Sequence, residues 1–529
     1  MVESGRSENA MDGCRFQKTV ERWGVFELRV HEPVVQGKTE GNPFTDYEIT
    51  AEFSCAAVKK IIQGFYDGDG EYVVRFMPEY EGEYSFAVSG SFSEERYSGT
   101  FCVTAPSEGN HGPLKIVDMY HFRYADGTPY YSLGTTCYAW VHQPEEQQLQ
   151  TLETLKNSAF NKIRFCMFPK HYDYNYEDPV TFPYEGTPCD NSNLNRSTMF
   201  AYMEDKSANH WDFKRFNPEH FRRFDRRIAQ LQELGIEADL ILFHPYDRWG
   251  FDGMGAENDD FYVRYMVARY AAYRNVWWSL ANEYDYVGSK TIEDWDRIGE
   301  LIHAIDPFGR FLSVHNGPKF YDFTKDWITH CSCQGTDRYK AVELTEEVKK
   351  KYGKPVVWDE ILYEGNVDLG WGNISGEELT RRFWEATMRG GYVGHGETYL
   401  FATDDSIDHA KLWWSHGGVL HGDSPARIRF LSEILKEIPG GKGLQVLPQY
   451  WDAVAATTDP EKKDFIIFYF SFLRPLYRDL YFDDETEYEV DVIDTWNMEI
   501  KPQGVYKGKF RIVVGGKPYM ALRVKRRNI

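Results

Sequence analysis

The chain has 529 residues and a mass of 61.8 kDa, so we expect two to four domains rather than one. Its net charge of -22 argues against nucleic acids and anionic membrane surfaces as partners. No apolar run is long enough to span a membrane. The aromatic content of 16% is high, and aromatic rings that are not needed for packing can stack on sugar rings.

The eight cysteines form no CxxC pair and no zinc-ligand spacing, and we interpret the several that lie within predicted strands as small buried hydrophobic residues. The sequence therefore predicts neither a metal nor a cofactor. The N-terminal residues lack the apolar segment of a signal peptide, which predicts a cytoplasmic protein. A secreted or periplasmic chain that had lost its signal would look the same. The sequence does not indicate an oligomeric state.

Residues 1–13 are polar and are predicted to be a flexible N-terminus. Residues 14–105 contain short runs that alternate apolar and polar residues, such as residues 71–76 and 83–88, with turn residues between them. Regular short strands without helical segments predict an Ig-like β-sandwich. We expect this to be an accessory domain without chemistry of its own.

The pattern changes after a linker rich in glycine and proline, and residues 106–443 alternate strand-like and helix-like segments. Eight strands in such an alternation predict a parallel (β/α)8 TIM barrel. An open doubly wound sheet is the alternative, but no glycine-rich phosphate-binding motif follows any strand. The predicted strands are Tyr130–Thr135, Lys162–Met167, Ala238–Phe243, Val276–Leu280, Phe311–Val314, Trp327–Cys333, Pro355–Trp358 and Tyr392–Gly396.

The helices between these strands carry clear end signals. Asn217 before Pro218 and the hydroxyl of Thr291 are predicted N-caps, and Gly353 is predicted to end a helix. A long segment rich in tyrosine, histidine and asparagine, residues 169–216, follows the second strand and is predicted to be a loop. Residues 444–529 return to short strands and predict a second β-sandwich. The predicted fold is thus an α/β barrel flanked by two β-sandwich domains.

The carboxyl ends of the barrel strands meet at one mouth, where barrel enzymes carry their chemistry. Asn282 and Glu283 directly follow the fourth predicted strand, and Glu360 follows the seventh. Aromatic residues flank Glu283, and we expect them to desolvate its carboxyl group in part. Partial desolvation would raise the pKa of Glu283 and suit it to act as a general acid. Two carboxylates on nearly opposite strands can protonate the leaving oxygen and attack the anomeric carbon of a glycoside.

Other polar and aromatic residues follow the strands and are predicted to bind substrate. His244 and His315 fit either hydrogen-bond donors at the site or structural histidines. Arg164 points either into the barrel layers or toward the nucleophile, and Trp413 is either a sugar platform or part of the core. No HExxH or comparable spacing indicates a metal site. The predicted substrate-binding residues are Arg164, His244, Asn282, His315, Gln334, Glu397, Tyr399 and Trp413.

The order of these strand ends resembles the clan A glycoside hydrolases, in which the two positions are the acid/base and the nucleophile of a retaining mechanism. The chain as a whole resembles a bacterial family with an N-terminal sandwich (DUF5060-like), an apiosidase-like barrel (DUF4038-type) and a C-terminal sandwich (DUF5605-like). The resemblance implies that Glu283 is the acid/base and Glu360 the nucleophile. The motifs that carry it are residues 131–136 (YSLGTT), 162–165 (KIRF), 278–283 (WSLANE), 354–360 (KPVVWDE) and 424–428 (SPARI).

The sequence departs from the clan pattern at two places. The eighth strand of clan A usually ends with tryptophan, whereas Glu397 and Tyr399 hold that region here. Glu364 lies four residues beyond Glu360, so spacing alone leaves two candidates for the nucleophile.

The leading hypothesis is a retaining glycosidase acting on plant-type oligo- or polysaccharides, with no cofactor. The alternatives are an inverting enzyme, an apiosidase-like exo-hydrolase, or a carbohydrate-binding protein without turnover. Paired carboxylates favour an enzyme, because a binding protein has no need of them.

Overall fold

The computed structural model describes residues 8–11, 13–31, 41–91, 93–335, 337–402 and 405–527. The chain divides into two compact units. Residues up to Leu114, with Val141–Pro144 and Phe165–Ser313, form the first, which we call unit 1. The remaining residues form the second, unit 2. Most of the predicted flexible N-terminus, residues 1–7 and 12, lies outside the described residues, and Glu8–Met11 form a strand.

Eight parallel strands form the central sheet, which we number β1 to β8 along the chain. Their order in the sheet is β5-β4-β3-β2-β1-β8-β7-β6, and a parallel bridge between His315 and Ser332 joins the segments at its two edges. The predicted barrel is confirmed. The strands are Leu133–Thr136 (β1), Lys162–Cys166 (β2), Glu237–Phe243 (β3), Val276–Ala281 (β4), Leu312–Ser313 (β5), Cys331–Gln334 (β6), Val356–Glu360 (β7) and Tyr392–His395 (β8).

The barrel strands are buried almost throughout, including the polar residues that several of them carry. Every residue of β3 and β4 is buried, as expected for parallel strands that are covered on both faces. β5 is shorter than predicted, because only Leu312 and Ser313 have strand geometry.

Nine α-helices lie in the described part of the chain, numbered α1 to α9. The predicted end signals are confirmed: Asn217 accepts a hydrogen bond from the backbone of Glu219, Thr291 forms a capping box with Asp294, and Gly353 ends a helix with φ of 66°. The helices are Glu145–Lys156 (α1), Met199–Glu204 (α2), Pro218–Glu233 (α3), Ala256–Tyr270 (α4), Ile292–Ile305 (α5), Thr345–Tyr352 (α6), Gly376–Met388 (α7), Trp413–His416 (α8) and Ser424–Lys436 (α9).

Two five-stranded sheets form the N-terminal β-sandwich. Their buried faces meet in an aromatic core, where Phe26 stacks on Phe101 with ring centroids 3.9 Å apart and Phe53 stacks on Phe76 at 4.3 Å. The strands are Glu8–Met11, Cys14–Gln17, Phe26–His31, Glu71–Phe76 and Phe65–Tyr66 in one sheet, and Thr19–Glu21, Ser93–Thr104, Gly82–Gly90, Ile49–Ser54 and Lys59–Gln63 in the other.

The C-terminal domain contains a six-stranded and a two-stranded antiparallel sheet. Trp384 of α7 stacks on Tyr469 of the larger sheet with ring centroids 5.4 Å apart. The domain borders after residues 105 and 443 stay predictions. The strands are Gln445–Val446, Val454–Thr457, Phe465–Tyr469, Met520–Arg526, Tyr488–Asp494 and Glu499–Tyr506 in the larger sheet, and Tyr477–Tyr481 and Lys509–Val513 in the smaller.

Three two-stranded sheets complete the description. The segment predicted as a loop, residues 169–216, contains α2 and one of these sheets. No helix in the part of the chain that the structure describes combines the length and hydropathy needed to cross a bilayer. The paired strands are Leu114–Val117 with His121–Tyr124, Tyr184–Thr187 with His210–Phe216, and Glu364–Gly365 with Glu397–Thr398.

Candidate active site

Glu360 is the last residue of β7, and three donors of unit 2 surround its carboxylate. The hydroxyl of Tyr138 donates a hydrogen bond to Oε1. Nη1 of Arg164 lies 3.5 Å from the same oxygen, and Nε2 of His315 lies 3.3 Å from it. The side chain of Glu360 is 14% exposed, which leaves room for a reacting group to approach. Of the predicted site residues, Arg164 and His315 are therefore brought to Glu360.

These contacts keep the carboxyl group of Glu360 ionised. Burial alone would raise its pKa, but the hydrogen bond and charge of His315, the charge of Arg164 and the hydrogen bond from Tyr138 outweigh burial. The pKa of Glu360 falls to about 2. A carboxylate that is ionised at neutral pH and partly accessible can act as a nucleophile or stabilise positive charge.

A second layer of polar groups fixes the ring of His315. Nδ1 lies 3.2 Å from Oγ of Ser332, and Nε2 lies 3.3 Å from Oε1 of Gln334. Ser332 in turn donates to Asp359, whose carboxylate pairs with the ammonium of Lys162 at 2.6 Å. Gln334 is the neighbour of Glu360 across the β6–β7 ladder, and its side chain also holds the ring of His315, which contacts the Glu360 carboxylate.

Arg164 lies on β2 and is 1% exposed. Its Nη1 donates to the hydroxyl of Tyr138 at 3.2 Å as well as approaching Glu360. Of the two orientations that the sequence left open, the arginine takes the one that points toward Glu360. Its fixed charge is one of the causes of the low pKa of that carboxyl group.

Glu283 follows β4 in unit 1 and adopts the left-handed backbone conformation, with φ of 48° and ψ of 59°. For a non-glycine residue this conformation costs on the order of 1 kcal/mol or more, and such strain collects at functional sites. The hydroxyl of Tyr246 and Nδ2 of Asn282, the latter at 3.1 Å, both donate to Oε2 of Glu283. The carboxyl group is therefore held in one orientation at the end of its strand.

The segment after β2 supplies the surroundings of Tyr246. The ring of Tyr172 packs edge-on against Tyr246 with centroids 4.8 Å apart, and Nζ of Lys170 lies 4.3 Å from the Tyr246 ring centroid. His244 is buried, and its Nε2 lies 3.2 Å from the carbonyl oxygen of Phe168. Burial and the charge of Lys170 lower the pKa of His244 to about 4, so its ring is neutral at pH 7.

Glu397 and Tyr399 contact a different group of residues in unit 2. Tyr399 donates to Oε1 of Glu364 at 2.9 Å, and Glu397 accepts hydrogen bonds from the backbone N–H groups of His421 and Gly422 at 2.6 and 2.7 Å. Burial and the charge of Glu364 raise the pKa of Glu397 to about 7. The hydrogen-bond donors of Glu364 and Glu397 are thus different from the donors that surround Glu360.

Trp413 begins α8, is 2% exposed, and donates its indole N–H to Oγ1 of Thr135 at 2.8 Å. Its neighbour Trp414 packs at 4.8 Å against Trp371, which is partly exposed. Trp413 therefore lies in the interior, and the role of sugar platform that the sequence allowed stays a prediction.

Two residues that contact the catalytic candidates were not predicted from the sequence, namely Tyr138 and Tyr246. Tyr138 follows β1, so the rule that assigned the other strand ends to the mouth would have found it if applied to the first strand. Tyr246 lies in the segment after β3, where the histidine was selected instead. Nothing in the sequence indicates which of these side chains turns toward a carboxylate.

Replacing Tyr138 with phenylalanine is expected to raise the pKa of Glu360 by about one to two. A hydrogen bond to a charged group contributes about 1.5–3 kcal/mol, and one pKa unit corresponds to about 1.4 kcal/mol. Because activity would require the ionised carboxylate, the acid limb of kcat/KM should move upward in pH. The measurement is the pH profile with an activated aryl glycoside.

The matched control is Tyr363→Phe, which removes a hydroxyl 3.5 Å from that of Tyr138. Its acid limb should move less than that of Tyr138→Phe. Equal profiles for wild type and Tyr138→Phe would show that this hydroxyl does not set the ionisation of Glu360.

Comparison with known proteins identifies the barrel. Residues 118–413, more than half of the chain, match the family described as "Apiosidase-like, catalytic domain". The chain belongs to the apiosidase-like family. Residues 19–91 match "Domain of unknown function (DUF5060)" and residues 451–525 match "Domain of unknown function (DUF5605)", in the order that the sequence predicted. No curated protein matches the chain.

Solved structures with the same fold are glycoside hydrolases. A candidate glycoside hydrolase of Bacteroides vulgatus is 34% identical, with 96% of this chain and all of that chain covered and a TM-score of 0.86. A glycoside hydrolase of family 5 from the same organism is 14% identical, with 79% of this chain and 97% of that chain covered and a TM-score of 0.58, which shows the fold alone. The prediction of a glycoside hydrolase is confirmed at the level of family and fold.

Proposed function

We propose that this apiosidase-like protein hydrolyses O-glycosidic bonds of plant-type oligo- or polysaccharides by a retaining mechanism, with Glu360 as nucleophile and Glu283 as acid/base. The observation that carries the proposal is the environment of Glu360. Three donors meet one carboxylate at the end of a barrel strand and hold its pKa near 2. A nucleophile must be ionised before the sugar arrives, and these contacts supply that state.

The position and orientation of Glu283 support its role as the acid/base. The residue follows a barrel strand, is buried, and receives hydrogen bonds on Oε2 from Tyr246 and Asn282. Both donors contact the same carboxylate oxygen and so fix the orientation of the group that would transfer the proton. The strained backbone of Glu283 aims the carboxyl group and is maintained by the surrounding structure.

The reaction follows from these two roles. Glu360 attacks the anomeric carbon and forms a glycosyl ester, while Glu283 gives its proton to the departing glycosidic oxygen. Glu283, now a carboxylate, then takes a proton from water, and the water oxygen attacks the anomeric carbon and releases Glu360. The positive charge of Arg164 stabilises the carboxylate of Glu360 each time that it is released.

Retention of the anomeric configuration is the expected outcome, because two displacements at one carbon restore its geometry. The first-formed sugar should be detected by proton NMR within minutes of adding enzyme, before mutarotation. A substrate must first be found by screening aryl glycosides and plant polysaccharides, including substrates that contain apiose.

Retention also requires the carboxyl groups of Glu283 and Glu360 to be about 5–5.5 Å apart. An inverted first product, or a separation beyond about 6.5 Å, would contradict the mechanism.

A further inference from the structure

A cluster of three buried metal-ligating side chains lies at the ends of β7 and β8, apart from the donors around Glu360. Glu364 and Glu397 are direct partners in the two-residue parallel ladder that follows these strands. His395 precedes Glu397 by two residues, and alternate residues of an extended chain point to the same side. One potential ligand atom from each residue lies within 4.8 Å of the other two.

One ring nitrogen of His395, a member of this cluster, has no hydrogen-bond partner among the described residues. Its Nδ1 lies 3.1 Å from Oγ1 of Thr135, which also accepts the indole N–H of Trp413. Nε2 has no hydrogen-bond partner among the described residues, although the side chain is fully buried. Burying a ring nitrogen without a hydrogen-bond partner costs free energy, and a ligand bound to this nitrogen would remove that cost. Because Thr135 occupies Nδ1, Nε2 is the nitrogen left to bind it.

No lysine or arginine among the described residues is placed to neutralise the two carboxylates when they are ionised. Like charges directly opposite each other in a ladder are destabilising, and buried charges are normally paired or bound to metal. Glu364 accepts hydrogen bonds from Tyr399 and from the backbone and hydroxyl groups of residues 423–424, but neither it nor Glu397 forms an ion pair with a lysine or arginine within the described ranges. Hydrogen bonds orient these carboxylates without removing their charge.

We propose that Glu364, His395 and Glu397 bind a divalent transition-metal cation. Two carboxylates balance two positive charges and suit manganese, and the imidazole nitrogen favours zinc over magnesium or calcium, which prefer oxygen ligands. Ligand bonds of about 2.0–2.4 Å place donor atoms no more than about 4.8 Å apart. The three candidate ligand atoms of the cluster all lie within 4.8 Å of one another. Thr135 would orient the imidazole from outside, as is usual for metal-bound histidine.

The segment of residues 421–424 packs closely against the two carboxylates of the cluster. The backbone N–H groups of residues 421–424, which lead into α9, all point at Glu364 or Glu397. A Cβ atom on Gly422 would lie 2.5 Å from Oε2 of Glu364 and 2.7 Å from Oε2 of Glu397, so only glycine lets the chain approach this closely. The cation would therefore tie the ends of β7 and β8 to the start of α9.

The experiment uses the full chain and does not depend on activity. Protein purified without chelator is analysed for metals by mass spectrometry, then stripped and titrated calorimetrically with Zn²⁺ and with Mn²⁺. We expect one bound cation per chain and a rise in Tm when metal returns. His395→Gln and Glu397→Gln should each weaken binding by more than about 100-fold, which exceeds the loss expected from changing a residue that only hydrogen-bonds a ligand. The matched controls are His303→Gln and Glu433→Gln, which alter exposed residues and should bind as wild type does.

Stripping and restoring metal in the wild-type chain tests the proposal even if a variant does not fold. The proposal would be overturned if the purified protein contained no metal, if chelator left its Tm unchanged, and if Zn²⁺ or Mn²⁺ at millimolar concentration gave no heat of binding. The cluster would then hold a water molecule and a proton instead of a cation. Unchanged affinity in both variants would overturn it as well, because the metal would then bind elsewhere.

Discussion

Replacing Glu360 with alanine is expected to lower kcat by about 10⁴- to 10⁶-fold on every substrate, because no glycosyl ester can form without the nucleophile. The small side chain leaves space for an external anion at the carboxylate position. Added azide should therefore restore turnover and give the inverted glycosyl azide, since only one displacement remains. The products are identified by proton NMR with an activated aryl glycoside.

Glu283→Ala should behave differently with the same substrate. An activated aryl group leaves without a proton, so the glycosyl ester still forms and azide attacks it in the second displacement. The expected product is the retained glycosyl azide. Glu433→Gln, which changes an exposed glutamate of α9, should keep wild-type rates. The reverse pattern of azide products would exchange the two roles. Near-normal activity in both variants would move the search to Glu364 and Glu397.

The barrel could be predicted because several of its strands, β3 and β4 above all, are mostly apolar runs that alternate with helical segments. β4 combines valine, tryptophan, leucine and alanine in six buried residues, a pattern that no exposed segment of this length would carry. The helix ends at Asn217 and Thr291 followed from capping chemistry, which is local in sequence. The two paired strands within residues 169–216, Tyr184–Thr187 and His210–Phe216, could not be predicted, because no tight turn joins them to mark the pairing.

The candidate site was predictable in position but not in contacts. Strand ends identified Glu360 and His315, because the barrel brings such residues to one edge, whereas Arg164 lies inside β2 and its orientation was left open. The donors that fix Glu360 also include Tyr138, which comes from another strand end 222 residues away in sequence. Sequence spacing reports which element a residue belongs to, whereas side-chain rotamers decide which atoms meet. The low pKa of Glu360 results from these side-chain contacts, so it could not be derived from the sequence.

The cluster of Glu364, His395 and Glu397 shows the same limit. The sequence predicted no metal site, since no motif joins these residues. They come together through the ladder between Glu364–Gly365 and Glu397–Thr398, a pairing of two short segments with no apolar pattern to mark them. Polar residue types at the strand ends predict that the mouth of the barrel is polar. Which of these residues lie close enough to share a ligand depends on the register of the strand pairing, which the sequence does not give.

Lys162→Met is expected to destabilise the chain by about 3–5 kcal/mol, because it leaves a buried carboxylate without its partner. The ammonium of Lys162 lies 2.6 Å from Asp359, and both side chains are only 2% exposed. Burial alone would raise the pKa of Asp359, but Lys162, followed by Arg164 and His315, holds it well below its usual range. The free energy of unfolding is measured by urea denaturation at pH 7 with tryptophan fluorescence.

The dependence on pH identifies the cause of this loss. A carboxyl group whose pKa is lowered by folding stabilises the protein fully above its unfolded value of about 3.9, and that contribution is lost as pH falls further toward the folded value. The difference between wild type and Lys162→Met should therefore be largest near neutral pH and shrink below about pH 4. Lys162→Met combined with Asp359→Leu should recover most of the stability, because the uncompensated charge is gone. Lys214→Met, which breaks an exposed pair with Glu257, should cost less than about 1 kcal/mol. A double variant no more stable than Lys162→Met alone would show that lost packing, rather than the buried charge, causes the effect.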